Sequence, residues 1–242
     1  ASISATGGVR TFFNDRVAHT FESSGTFAVG GIKTYTHNTL DIFGDSSCIA
    51  LYNLDGNAND TGGSYNGTAS NVTYAQSYIN EGGVFNGSNS YIDSGTSLLG
   101  SANYTVSLWF YANSLYTDAQ GENLLYNQYA AGLTGRHIVS IYESNFRIFI
   151  GGTTLNTITV PAWETNKWYH ITVVKNSSGF TVYINNTPYT LSTSASITTS
   201  TNFRIGKGDS NIGENSLDGK IDQVRIFNKA LSSSEVATLY AE

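Results

Sequence analysis

Along much of the chain apolar and polar residues alternate. Tyr104-Thr105-Val106-Ser107-Leu108-Trp109-Phe110 sends every second side chain to one side, as a strand with one buried face requires. The same alternation runs through residues 138–142, 146–150 and 221–227. Residues 168–175 and 180–184 are rich in β-branched and aromatic side chains. Between them, Asn176-Ser177-Ser178-Gly179 offers residues that take left-handed backbone angles at little cost, which predicts a hairpin. A second hairpin is predicted through residues 83–92, around Asn86-Gly87-Ser88-Asn89-Ser90. The two prolines, Pro161 and Pro188, both fall beside predicted turns or strand ends, so the ladders are hardly interrupted. Many short strands with regular turns predict an all-β fold, a two-sheet sandwich or a jelly roll.

One helix is predicted, at the end of the chain. Ser232-Ser233-Ser234-Glu235 has the capping-box form, and Val236, Leu239 and Tyr240 follow at helical spacing, so a short helix should pack against a sheet edge. Composition shifts near residue 45. Before it, residues 9–13 and 18–21 read as short strands around Asn14-Asp15, with a third at 26–29. Three short strands bury little surface alone, so residues 1–45 are expected to dock on the large domain, 46–242, or on another chain.

Composition narrows the function. A length of 242 residues suits one large β domain with a small appendage. Aromatics at 13% argue against disorder. A formal net charge of -6, with 12 Lys and Arg scattered singly, excludes a nucleic-acid binder that works by neutralising phosphates. A single cysteine, Cys48, excludes an intrachain disulfide and a Cys-based zinc site. No apolar run approaches a membrane span, so no membrane insertion is expected. No basic-then-apolar leader opens the chain, and position 1 is Ala, a start that initiator removal or trimming would equally leave.

The most chemical cluster is Asp55-Gly56-Asn57-Ala58-Asn59-Asp60-Thr61-Gly62-Gly63, whose carboxylates, amides and turn carbonyls suit a hard cation such as Ca²⁺. An EF-hand is excluded. Asp60 replaces its sharp-turn glycine, Asn66 stands where its bidentate glutamate belongs, and strands flank the loop. No Gly-x-Ser-x-Gly elbow occurs, and His19, His37, His137 and His170 are too dispersed for a triad or a zinc site. Residues 114–136 read as a loop carrying Tyr116, Tyr126 and Tyr129 with Asn123, Asn127 and Gln128, and closing on Arg136. Exposed tyrosines there would offer ring faces to a sugar, with Asn127 and Arg136 for its hydroxyls; the alternative is that they pack on neighbouring loops. Trp109, Trp163 and Trp168 read as core.

From Cys48 onward the chain resembles the laminin-G-like, concanavalin-A-like jelly-roll family. The residues that carry this are the opening 51–60, then 85–92, 104–110 and 168–175 in the family's order, and the closing Leu217-Asp218-Gly219-Lys220-Ile221-Asp222-Gln223-Val224-Arg225-Ile226-Phe227-Asn228-Lys229-Ala230-Leu231-Ser232. The resemblance implies one structural Ca²⁺ on the outer side of a sheet. Asp222 of the closing strand would meet Asp60 and carbonyls near Gly62 and Gly63, with Asp55 as a further ligand. The alternative is that Asp55 and Asp60 cap turns through backbone amides and Asp222 faces solvent. Related jelly-roll enzymes set two or three carboxylates alternately along one strand. That pattern is absent here, and Glu81, Glu122, Glu143, Glu164 and Glu214 stand isolated, so no enzyme is expected.

Residues 19–29 are similar to a segment that recurs in bacteriophage tail and virion proteins, and residues 40–50 resemble sequences that precede such jelly rolls in marine phage proteins. These likenesses imply a virion surface protein, a tail fibre or spike or a capsid decoration. Residues 1–45 would bind other virion proteins or sister subunits, and the jelly roll would adhere to host polysaccharide. The alternative is a secreted or surface-attached bacterial carbohydrate-binding module.

Overall fold

The computed structural model describes residues 9–13, 16–20, 38–100, 102–116, 122–128, 137–143, 145–151, 154–160, 163–191, 201–207 and 216–242. Strands β1 (Val9–Phe13) and β2 (Arg16–Thr20) pair antiparallel as a two-stranded sheet of their own. The turn at 14–15 and the third predicted run, 26–29, lie outside the described residues.

Two larger antiparallel sheets make the sandwich. The first includes β4 (Thr68–Ser70), β7 (Tyr91–Asp93), β9 (Asn123–Gln128), β10 (His137–Tyr142), β11 (Asn145–Ile150), β12 (Thr154–Thr159) and β16 (Phe203–Ile205), in the order β12-β11-β10-β9-β16-β7-β4. The second is built from β5 (Thr73–Gln76), β6 (Glu81–Asn86), β8 (Tyr104–Ala112), β13 (Trp168–Asn176), β14 (Gly179–Ile184), β15 (Thr187–Leu191) and β17 (Asp218–Phe227). Its order is β15-β14-β13-β8-β17-β6-β5, with β3 (Cys48–Tyr52) also on β17.

Strand β17 is the spine of this second, eight-stranded sheet. One edge pairs with β8; the other is shared by β6, at residues 218–221, and β3, at residues 224–227. At the changeover Gln223 takes φ 51° and the register with β8 slips. The extra residue of the bulge lets Ile221 and Val224 both face the core, while Asp222 and Arg225 both face outward.

The core lies between the sheets. Val106, Leu108 and Phe110, Ile171 and Val173, Val139 and Ile141, and Phe146, Ile148 and Ile150 are all buried there, each worth roughly 1.5–3 kcal/mol relative to exposure. Among the described residues a polar group crosses it. His137 of β10 has its Nδ1 2.8 Å from Tyr104 Oη of the opposite sheet and its Nε2 3.0 Å from Tyr126 Oη of β9. Burial, and secondarily the charge of Lys175, pushes His137 down to about 3, so the ring is neutral; burial drives both tyrosines well above their ordinary value.

Several expectations meet their structures here. The 168–184 hairpin forms, closing at Asn176 and Gly179. Residues 83–92 do not form one: β6 and β7 belong to different sheets. Asn86 Oδ1 accepts the N–H groups of Ser88, Asn89 and Ser90, so the turn chemistry read from sequence makes a corner between sheets instead. Residues 114–136 are not all loop, because 123–128 form β9.

Helix α1 (Ser233–Tyr240) carries the full capping box. It lies on a sheet face, not an edge. Val236 and Leu239 pack with Cys48, Val174, Tyr183 and Phe227 on the outside of the eight-stranded sheet, where Leu40, Ile42 and Phe43 join them. Leu40, Ile42 and Phe43, which lie before position 45, are therefore packed on the sandwich.

Candidate functional site

A sandwich has two outer faces, and here they differ. That of the eight-stranded sheet is covered in its middle by α1, by residues 38–47 and by Tyr78, whose ring stacks on Trp109 with centroids 3.6 Å apart. Beneath this cover His170 Nε2 sits 2.8 Å from Ser107 Oγ. The pair lacks what a nucleophile and base require: both residues are buried, and His170 Nδ1 has no hydrogen-bond partner to orient it. Burial pushes His170 to about 3, with a smaller contribution from Arg225.

The outer face of the seven-stranded sheet is buried in its middle, at Leu124, Ile138, Ser140 and Asn127, and carries partly exposed polar and aromatic groups to either side. Strand alternation puts Ile92, Phe203 and Ile205 in the core and turns Tyr91, Asp93 and Arg204 outward. Asp93 and Arg204 are register partners, and Arg204 Nε donates to Asp93 Oδ2 at 2.8 Å. Asp93 Oδ1 accepts from Asn202 Nδ2 and from the Gly95 amide, each at 2.8 Å. The Arg204 guanidinium and Lys207 Nζ both lie 5.6 Å from the Tyr91 ring centre. Asn127, next to Arg204 across the ladder, donates to the Lys207 carbonyl. Further along the face Arg147 Nη1 reaches Glu122 Oε1 at 2.5 Å, Ser140 Oγ donates to Glu122 Oε2, and the guanidinium lies 3.8 Å over the Tyr142 ring.

Fixed guanidinium–carboxylate pairs beside aromatic faces offer what a sugar needs: donors and acceptors for neighbouring hydroxyls, and a flat apolar surface for C–H groups. They are poorly suited to acid catalysis. Burial raises the Asp93 carboxyl, but hydrogen bonds from Arg204, Gly95 and Asn202 outweigh it and hold it below its ordinary value. A general acid at neutral pH requires the opposite.

Of the residues expected to bind a ligand, the three described ones, Tyr116, Tyr126 and Asn127, do not form one surface. Tyr126 is fully buried on His137, whereas Asn127 beside it points to the outer face, as strand geometry dictates for neighbours. Tyr116 is half-buried and donates to the Gly87 carbonyl at 3.0 Å. Tyr129 and Arg136 lie outside the described residues. Tyr91, Asp93, Arg204 and Lys207 were not singled out from sequence. The available signal was a polar residue between apolar ones in 203–205 and the reverse pattern in 91–93, but only the topology brings the two segments together.

Asp60 is buried and its carboxylate accepts four amides. Oδ1 takes Leu51 at 2.9 Å and Gly62 at 3.1 Å; Oδ2 takes Ser64 at 3.1 Å and Tyr65 at 3.2 Å. The Gly63 amide donates to the Asp60 carbonyl at 2.8 Å. Asp222 is fully buried, not solvent-facing. Its Oδ2 accepts from the Ile79 amide at 2.8 Å, and its Oδ1 has no well-formed hydrogen bond. Burial pushes Asp222 up to about 7 and the Asp55 charge adds to this, against the nearby Ile79 and Gln223 amides and Ser77 hydroxyl. Asp55 Oδ1 in turn accepts the Glu81 amide at 3.1 Å. Among the described residues no three His, Cys, Asp or Glu side chains converge as a metal cage.

Comparison with solved structures supports the fold. Domain 4 of AbnA, an extracellular arabinanase of Geobacillus stearothermophilus solved with arabinotriose, superposes with a TM-score of 0.68 at 23% identity, covering 80% of this chain and 98% of that one. The binding domain of Paraclostridial Mosquitocidal Protein 1 gives 0.63 at 20% identity over 80% of this chain and 52% of that one. A mutant of Trypanosoma rangeli sialidase displaying trans-sialidase activity gives 0.63 at 17%, over 81% of this chain but only 33% of that one. No curated protein matches the chain. Residues 86–237 match the family Laminin_G_3, and with the two antiparallel sheets described above the chain belongs to the concanavalin A-like lectin/glucanases superfamily.

Proposed function

We propose that this protein is a non-enzymatic, saccharide-binding jelly roll, displayed on a virion and adhering to host glycan through the outer face of its seven-stranded sheet. The observation that carries the binding is the Tyr91–Asp93–Arg204–Lys207 group, a pre-paired, partly exposed set of donors, acceptors and one ring. The likeness to an arabinanase domain solved with arabinotriose supports a sugar as the ligand. The absence of catalysis is supported by the pairing of Asp93 and Glu122, two carboxylates of that face, with arginines.

The virion reading rests on the likeness of residues 19–29 and 40–50 to phage segments. A separate two-stranded β1–β2 sheet, marginal alone in water, supports docking of the N-terminal segment on a partner. The arabinanase relative equally favours a secreted bacterial module, and genomic neighbourhood separates the two. Truncation before Asn38 should convert an oligomer to a monomer on the assembly reading. The same oligomeric state in both forms, by mass measurement in solution, would refute it.

Calcium, on this reading, would be held by Asp222 Oδ1, Asp55 and main-chain carbonyls, because the four amides on Asp60 occupy its lone pairs. It would neutralise the buried acid. Chelator should then lower the melting temperature of the wild type and of Asp60→Asn, but not of Asp222→Asn. A chelator-insensitive wild type, with no calcium by elemental analysis, refutes the site.

A further inference from the structure

The cover on the eight-stranded sheet stops one row short. His170, Trp109 and Asp222 lie side by side across β13, β8 and β17, and all three are buried. The next row toward the sheet end is Trp168, Tyr111 and Lys220, paired across the same strands and only half-buried. Their neighbours Tyr169, Phe110, Ala112 and Ile221 point into the core, so alternation turns this row outward.

The row is organised. The Trp168 and Tyr111 rings stand 5.4 Å apart at 49°, and Tyr78 meets Trp168 edge-on at 5.9 Å, fixing the indole from the covered side. Lys220 Nζ lies 5.8 Å from the Tyr111 ring centre and is held by the Gln76 carbonyl at 2.8 Å. Tyr111 Oη donates to Asn166 Oδ1 at 2.9 Å, and the Asn166 amide is tied to the Ala112 carbonyl at 2.8 Å. Two aromatic faces are thus set in a frame of an ammonium, a carboxamide and a phenol.

The surroundings decide the occupant. Glu164, Thr165, Asn166 and Lys167 beside the row are exposed and polar, and Tyr240, at 37%, is the one large apolar side chain more than about a third exposed among the residues whose burial is described. A protein partner would need an interface of roughly 800 Å² per side with an apolar centre, which this border does not supply. A sugar ring needs less: one apolar C–H face for the rings, and hydroxyls that reach Asn166 and Lys220 at the rim.

We infer that Trp168, Tyr111, Lys220 and Asn166 form a second saccharide-binding platform, on the face opposite to the Tyr91–Arg204 group and independent of it. Trp168 is the half-buried tryptophan, whereas Trp109 and Trp163 are buried, so ligand on the platform is read in tryptophan emission. The full chain is titrated with arabinotriose, cellotriose and maltotriose. At least one should shift or quench the emission saturably. Tyr111→Ala should weaken that response by about tenfold, equivalent to ~1.4 kcal/mol. Trp168→Ala should abolish heat of binding at this site by calorimetry, Trp168→Tyr should restore part of it, and Arg204→Ala should leave the fluorescence response intact. No response to any of the three sugars overturns the platform, as does calorimetric binding unchanged by Trp168→Ala. Loss of all binding in Arg204→Ala alone would overturn it while leaving the seven-stranded face in place.

Discussion

Acid should destabilise this protein by an amount set by three buried groups. His137 and His170 are pushed to about 3 in the fold, against about 6.5 in an unfolded chain. Between those values the unfolded chain binds protons that the native state refuses, so stability is complete above about pH 6.5 and falls as pH falls, by about 1.4 kcal/mol per pH unit for each histidine. Asp222 acts in the opposite sense. Its carboxyl is raised to about 7 in the fold, so between there and about 3.9 the native state binds the extra proton and stability rises as pH falls, with the same slope. Two against one leaves a net loss of about 3 kcal/mol from pH 6.5 to 4.5, a large part of a typical 5–15 kcal/mol. Urea unfolding of the metal-free protein, with chelator present throughout, followed by tryptophan emission at half-unit pH steps, measures it. His137→Gln should flatten the slope nearly to zero, and Asp222→Asn should roughly double it. Comparing variants cancels the remaining carboxylates. A His137→Gln slope equal to that of the wild type would refute the reasoning.

Two further substitutions test how the sandwich is held. Asp60→Ala strips the acceptor from four amides and should cost about 3 kcal/mol, read as a lowered urea midpoint; an unchanged midpoint would show those amides to be indifferent to it. Leu239→Ala opens a cavity between α1 and the outer sheet face and should cost roughly 2–5 kcal/mol. A loss below about 1 kcal/mol would mean that the helix adds little to the fold.

The strands and the capped helix were legible because each rests on local chemistry: alternation, turn residues, and Ser232 with Glu235. The error at residues 83–92 shows the limit. Asn86 announces a turn, but whether the chain returns to its own strand or crosses to the other sheet depends on partners more than a hundred residues away, in β16 and β17. The helix position failed similarly, since nothing local reveals that Val174 and Phe227 leave an apolar patch on an outer face. Acidic residues were easy to find and hard to assign. Asp55, Asp60 and Asp222 were singled out as one set, yet Asp60 is committed to its own turn while Asp55 is the carboxylate whose charge reaches Asp222. Tyr126 misled because composition suggested a loop where period-two packing buried it.

The most direct test is a crystal structure of the full chain with an oligosaccharide selected on a glycan array. A sugar ring against Tyr91, with hydroxyls on Arg204 and Asp93, is the predicted result. An array without binders, or a selected sugar bound nowhere on the outer face of the seven-stranded sheet, would contradict the proposed function.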